Sequence, residues 1–231
     1  AGHRIRDVGY YPELTLTGIL QKSSDTGVSR LSLAMPIQRL LDTYHGFGFG
    51  RSTGLGLTGE SSGLLPERKF WSQLDRATFA FGYGLMVTPL QLAHVYATIG
   101  GNGLERPLSI TRIDPPVIGT QVMPASIVQE VEHMMESVAL PGGGGVKAAV
   151  RDYRVAVKTG TAKKIDDRGN YVDKYVAYTA GVAPASRPVF ALAVVINDPQ
   201  NGAYYGGAVS APVFSQIMGD VLRIENIKPD G

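Results

Sequence analysis

The sequence predicts an α+β fold, a helical first part followed by an antiparallel sheet under a final helix. Three observations carry the prediction. Apolar residues recur at helical spacing through residues 13–45, 88–99 and 124–139. Three β-rich runs, residues 154–159, 175–183 and 188–197, then follow with short connections, the pattern of an antiparallel meander. Last, residues 211–224 place Val213, Ile217, Val221 and Leu222 on one helical face that would cover the sheet. Helices grouped before strands, rather than alternating with them, argue against a wound parallel sheet.

Taken in order, residues 13–35 read as two short helices interrupted at Ser23-Ser24-Asp25-Thr26, where Ser and Asp offer oxygens to the free N–H groups of a first helical turn. Residues 36–45 form a third helix with Ile37, Leu40, Leu41 and Tyr44 on one side. Residues 46–62 are glycine-rich and irregular. Thr88-Pro89-Leu90-Gln91 is a strong helix start: Thr caps, Pro takes a first-turn place that needs no donor, and Gln completes a capping box. That helix stops at Gly100-Gly101. The helix of residues 124–139 turns Ile127, Val128, Val131, Met134 and Met135 inward and ends at Pro141 and glycines 142–145, expected to be a flexible connection. Lys163, Lys164, Asp166 and Asp167 mark a solvated hairpin. No repeat or linker divides the chain, which reads as one domain.

Composition removes several functions. The 231 residues carry a net charge of +2, so no broad field draws nucleic acid or an anionic membrane. Cysteine is absent, which excludes disulfides, thiol catalysis and thiolate metal sites. His3, His45, His94 and His133 have no metal-ligand spacing. His94 and His133, on helices, are expected to be packing or surface residues. The longest apolar run, residues 190–196, is far short of a membrane span. No metal or cofactor is expected.

Two short motifs carry chemistry. Lys158-Thr159-Gly160-Thr161 ends an alternating apolar run and sets a cation, two hydroxyls and a glycine at the end of a strand. Such a group would hold a carboxylate while the strand pairs with an extended peptide. Alone, it reads as a strand end with a turn, and Ser23-Ser24-Asp25 alone reads as a helix cap.

Together, and in this order, they resemble the penicillin-binding proteins, specifically class B division transpeptidases of the FtsI type, whose motifs are Ser-x-x-Lys, Ser-x-Asn and Lys-Thr/Ser-Gly. Similarity extends to Gly82-Tyr83-Gly84-Leu85-Met86-Val87-Thr88-Pro89-Leu90-Gln91-Leu92-Ala93, to His133-Met134-Met135-Glu136-Ser137-Val138, to the glycine run, to Thr179-Ala180-Gly181-Val182-Ala183-Pro184, and to Tyr204-Tyr205-Gly206-Gly207 followed by Ser210-Ala211-Pro212-Val213-Phe214. The resemblance implies the transpeptidase fold shared with serine β-lactamases, a five-stranded antiparallel sheet between helices. It also implies acyl transfer: a serine attacks the D-alanyl-D-alanine end of a peptidoglycan stem peptide, D-alanine leaves, and a second stem's amine takes the acyl group. β-Lactams acylate the same serine. By this likeness Lys158, Thr159, Gly160 and Thr161 hold the substrate or drug carboxylate, and the N–H of Thr161 is half of an oxyanion hole. Ser23 serves the proton relay to the leaving amine, Asp25 completes its catalytic motif, Ser24 faces the substrate or β-lactam, and Tyr175, Tyr204 and Tyr205 line the cleft. An N-terminal membrane anchor, a periplasmic catalytic domain and division-protein partners follow from the family alone.

Two departures stand out. No serine has a lysine three positions on; Ser109 with Arg112 comes nearest, on an expected strand, and the Thr161-to-Lys164 spacing lies inside the other motif. The nucleophile and the first two strands are therefore expected in a part N-terminal to this chain, which is read as the C-terminal majority of the domain, residues 1–231. Asp25 also stands where the family has Asn. Asn donates to a substrate carbonyl, ionised Asp only accepts, and protonated Asp regains a donor, so two readings stand: an acid-adapted enzyme, or an Asp25 kept ionised as the salt-bridge partner of a neighbouring lysine. The rival readings are a serine β-lactamase and a non-catalytic β-lactam sensor.

Overall fold

A computed structural model describes residues 4–200 and 202–231; His3 lies outside the described residues. Helices α1 (Leu16–Lys22), α2 (Asp25–Leu33) and α3 (Ile37–Gly46) open the fold. The expected break falls between the first two. Ser23 ends α1 in a left-handed conformation, φ 54°, with its N–H on the carbonyls of Ile19 and Leu20. Ser24 caps α2 by accepting the N–H of Gly27. One helix thus ends and the next begins within two residues, which leaves Ser23 exposed on a fixed backbone.

Helix α4 (Gln73–Phe79) was legible in principle from the Ser72 and Asp75 capping box that starts it, although it lies outside the helices expected above. Helix α5 (Pro89–Gly100) begins as expected: Thr88 Oγ1 accepts from Gln91, and Gln91 accepts from Thr88. Strands β1 (Leu104–Glu105) and β2 (Thr120–Gln121) then pair. Ser109 lies in irregular chain between them, not on a strand. In α6 (Ala125–Glu136), Val128 and Met135 are buried as expected, whereas Ile127 is exposed.

The meander is present as β3 (Ala156–Ile165), β4 (Tyr171–Ala183) and β5 (Phe190–Asn197), antiparallel in the order β3-β4-β5. Its first hairpin runs further than the apolar pattern indicated, because pairing continues past Thr161 to Lys163 with Tyr175 and, after a bulge, to Ile165 with Tyr171. Asp166 closes the turn by accepting the N–H groups of Arg168 and Asn170. Among the described residues β3 and β5 each have one neighbour and so present a free edge.

A short helix, α7 (Gly206–Val209), precedes α8 (Ala211–Ile224), which covers the sheet as predicted and buries the expected Leu222, but otherwise turns a neighbouring stripe inward. Phe214, Met218 and Leu222 are buried with Val155 and Val157, while Val213 and Ile217 are exposed. Both sets recur every four residues; the one with the larger Phe and Met side chains removes more apolar area from water and faces inward.

The glycine run is tied down rather than loose. Gly144 N–H donates to Gln21 O and Gly145 N–H to Val138 O, and Lys22 Nζ reaches Gly142 O at 2.7 Å. A Cβ on Gly143 would lie 2.1 Å from Val138 O, so close approach is what the glycine permits. Among the described residues no helix is long and apolar enough to cross a membrane, and no cluster of three His, Asp or Glu is placed to hold a metal.

Candidate active site

Lys158 and Ser23, 135 residues apart in sequence, meet at one point. Strand β3 carries Lys158 alongside the exposed turn between α1 and α2, and Lys158 Nζ donates to Ser23 Oγ at 2.8 Å and to its neighbour's carbonyl, Thr159 O, at 2.8 Å. An ammonium has three protons, so one remains for a ligand. Burial pushes Lys158 down to about 8, and the charge of Asp25 partly restores it.

Asp25 opens α2 beside this contact. Burial raises its carboxyl above the ordinary carboxylate range, the charge of Asp7 raises it further, and Lys158 lowers it. Asp7 is the organising group here. It accepts the hydroxyl of Ser24 at 2.6 Å and the N–H of Thr26 at 2.8 Å, which satisfies a free donor of the first turn of α2. Ser24, expected to face the ligand, is turned away from it: it is 3% exposed, its oxygen accepts the N–H of Gly27 and its hydroxyl donates to Asp7 Oδ2. Only Ser23 and Asp25 of that triplet remain available to the cleft.

Along β3, Thr159, Gly160 and Thr161 follow Lys158 on a strand whose outer side has no strand neighbour among the described residues. Gly160 fits because a Cβ there would lie 2.1 Å from the Tyr178 ring. Gly206 is also tightly pressed: a Cβ there would lie 2.5 Å from Gly160 O. Its N–H donates to Thr161 Oγ1 at 3.0 Å. That bond orients the Thr161 hydroxyl so that its proton points elsewhere, available to an acceptor. Beneath it, Thr179 and Ser210 pair at 2.8 Å in full burial, and Ser210 Oγ donates to Gly206 O, holding the start of α7 against the sheet.

The three tyrosines named from the sequence are brought together. Tyr175 and Tyr204 stack with centroids 4.1 Å apart, Tyr204 and Tyr205 at 4.5 Å, and Lys163 Nζ lies 5.7 Å from the Tyr175 ring. This is an aromatic wall at the hairpin end of β3 and β4. Sequence reasoning missed two residues. Tyr83 stands in the field of both Asp25 and Lys163 and packs edge-on against Tyr171 at 5.5 Å. Its signal was Gly82-Tyr83-Gly84, where both glycines take positive φ, 103° and 88°, and so present the ring between them. Asp7 gave no signal, since its partners are 17 and 19 residues away. His94 is buried at the carbonyl of Arg106, and His133 is exposed on α6; neither reaches the cleft.

A cation recessed on a free strand edge, a hydroxyl held against it, oriented threonines and an aromatic wall form a cleft fitted to an extended peptide ending in a carboxylate. Comparison with known proteins agrees with that chemistry. The family model "Penicillin binding protein transpeptidase domain" matches residues 1–219. The chain is 69% identical over 229 residues to peptidoglycan D,D-transpeptidase FtsI of Escherichia coli (strain K12), covering 99% of this chain and 39% of that protein. It is 41% identical to the probable peptidoglycan D,D-transpeptidase PenA of Neisseria gonorrhoeae, over 97% of this chain and 39% of that one. The apo structure of the TP domain from Burkholderia pseudomallei penicillin-binding protein 3 superposes with a TM-score of 0.92 at 38% identity, covering 98% of this chain and 69% of that one. The chain thus spans about two fifths of the length of the curated relatives it matches.

Proposed function

The chain belongs to the penicillin-binding-protein transpeptidase family, and from that premise we propose that it is the C-terminal majority of the catalytic domain of a septal peptidoglycan D,D-transpeptidase. The observation that supports this most is the 2.8 Å contact between Lys158 Nζ and Ser23 Oγ, on the free edge of β3. In this reading the attacking serine comes from the part of the protein outside this sequence. Its oxygen adds to the penultimate D-alanine carbonyl, the carbon–nitrogen bond breaks, and D-alanine leaves as the amine. Ser23, poised on Lys158, passes the proton that the leaving nitrogen needs. The amine of a second stem then replaces the serine. Thr159 and Thr161 hydroxyls hold the terminal carboxylate, the Thr161 N–H meets the developing oxyanion, and Tyr83 joins the tyrosine wall of the cleft. β-Lactams would acylate the same serine. A membrane anchor outside this sequence, a periplasmic location and division-protein partners belong to the same proposal.

Asp25 adds a pH term. With its carboxyl raised by burial and Asp7, the neutral form, which donates a hydrogen bond, persists to higher pH than for an exposed aspartate. Activity strongest under acid conditions follows.

Labelling of the full-length protein with a fluorescent penicillin tests the reading, followed by a stem-peptide crosslinking assay. Stable label with crosslinked product is expected. Rapid release of the label would identify a β-lactamase, stable label without crosslinking a sensor, and absence of label would overturn all three.

A further inference from the structure

We infer that a cavity of about 620 Å³, beyond the start of β3 and away from the cleft, binds a short polypeptide segment carrying a lysine or arginine next to a carboxylate. Its walls include Asn102 after α5, Glu132 and Glu136 of α6, Arg154 two residues before β3, and Ser186 and Arg187 between β4 and β5. None of these takes part in the cleft chemistry.

The cavity holds two neighbouring carboxylates in opposite situations. Glu136 is satisfied: Arg154 donates to it through Nε at 2.8 Å and Nη2 at 2.7 Å, and His133 Nδ1 lies 3.3 Å away. Glu132, one turn earlier, is 7% exposed, and its Oε1 is buried with no hydrogen-bond partner. A buried acceptor without a donor carries its full desolvation penalty, and no protein donor in the surrounding elements relieves it. Arg154 is committed to Glu136. Asp230, the other acid nearby, already accepts the N–H groups of Arg154 and Ser186. Glu132 lines the cavity, so a donor entering there is placed to relieve it.

The charges on the wall choose the donor. An ammonium or guanidinium entering here meets Glu132 backed by Glu136, with Arg154 opposing. On the rim, Arg187 is exposed and has no ion pair among the described residues, so a carboxylate beside the inserted cation meets its guanidinium. Burial and the like charge of Glu136 hold Glu132 up at about 7; an incoming cation favours its ionised form, so binding releases a proton and tightens as pH rises. Arg154 and Lys158 lie four residues apart on one chain segment, about 13 Å if extended. An occupant of this cavity thus sits within reach of the strand that carries the clamp.

The test uses the full-length protein and immobilised libraries of N-acetylated hexapeptides with fixed Arg-x-Glu or Lys-x-Glu, against counterparts with norleucine at the basic position. Retention at least ten-fold above the norleucine libraries is expected, stronger at pH 8 than at pH 6, and lost by ten-fold or more in both Glu132→Gln and Arg187→Ala. No retention, equal retention of the norleucine libraries, or retention unchanged in both variants would overturn the inference. Penicillin labelling of the same samples reports the cleft separately, so failure here and failure of the transpeptidase reading are distinguishable.

Discussion

Two ionisable side chains near β3 suffer the same penalty and meet opposite company. Lys158 and Glu132 are both desolvated, and desolvation disfavours the charged form of each, lowering the lysine to about 8 and raising the acid to about 7. Lys158 has acceptors, Ser23 Oγ and Thr159 O, and an opposite charge in Asp25. Glu132 has an oxygen without a donor and a like charge in Glu136. Burial alone therefore does not make a functional group. At the cleft the surroundings hold the cation ready with a proton to spare, whereas at the cavity they leave an acid with one oxygen unpartnered among the described residues.

Removing the cation should have the largest effect. Lys158→Met keeps the packed stem and deletes the charge, so penicillin acylation of the full-length protein is expected to fall by roughly 10²-fold or more, the scale of losing a preorganised charge-stabilising donor, while far-UV circular dichroism stays the same. Retained acylation would mean that the clamp lies elsewhere and would break the contrast between the two sites.

Relieving the acid should have a smaller effect, and one of opposite sign. The folded-state value of Glu132 lies above its ordinary 4.5. Its stability contribution is therefore complete below about 4.5 and is lost as pH rises through about 7. Glu132→Gln, which never ionises, should match the parent near pH 4 and exceed it at pH 8 by on the order of 1–3 kcal/mol, allowing for solvent screening. Urea unfolding at both pH values measures this. A variant no more stable at pH 8 than at pH 4, relative to the parent, would show that the acid has partners the structure lacks.

How legible these regions were differed for a physical reason. The Thr88-Pro89-Leu90-Gln91 start and the meander were readable because capping and two-residue alternation are local in sequence. So was the meeting of Lys158 with Ser23, through short motifs held in family order. On α8 the sequence pattern correctly turns Leu222 inward, but the stripes Val213 with Ile217 and Phe214 with Met218 share one period, and only packing against Val157 and Val138 chooses between them. Ser24 was placed in the cleft because a motif gives residue order and not side-chain direction; its direction is set by Asp7, a partner 17 residues away. Glycines 142–145 looked loose since nothing local shows that Gln21 and Val138 will bind them. The Glu132 cavity had no sequence signal at all, being assembled from α6, the start of β3 and the β4–β5 turn.

In the proposed function the turn at residues 23–25 and the strand at 158–161 make one catalytic cleft, in which Asp25 pairs with Lys158 when ionised and becomes a hydrogen-bond donor when acid protonates it. The most direct measurement is the rate of penicillin acylation against pH for the full-length protein and its Asp25→Asn variant. Because the Asp25 carboxyl is raised by burial and by Asp7, the parent's rate should decline as pH rises through that elevated value, roughly ten-fold per unit beyond it. The variant, whose amide donates at every pH, should hold its rate across the same window. Superimposable profiles would show that Asp25 does not serve as a donor in the cleft.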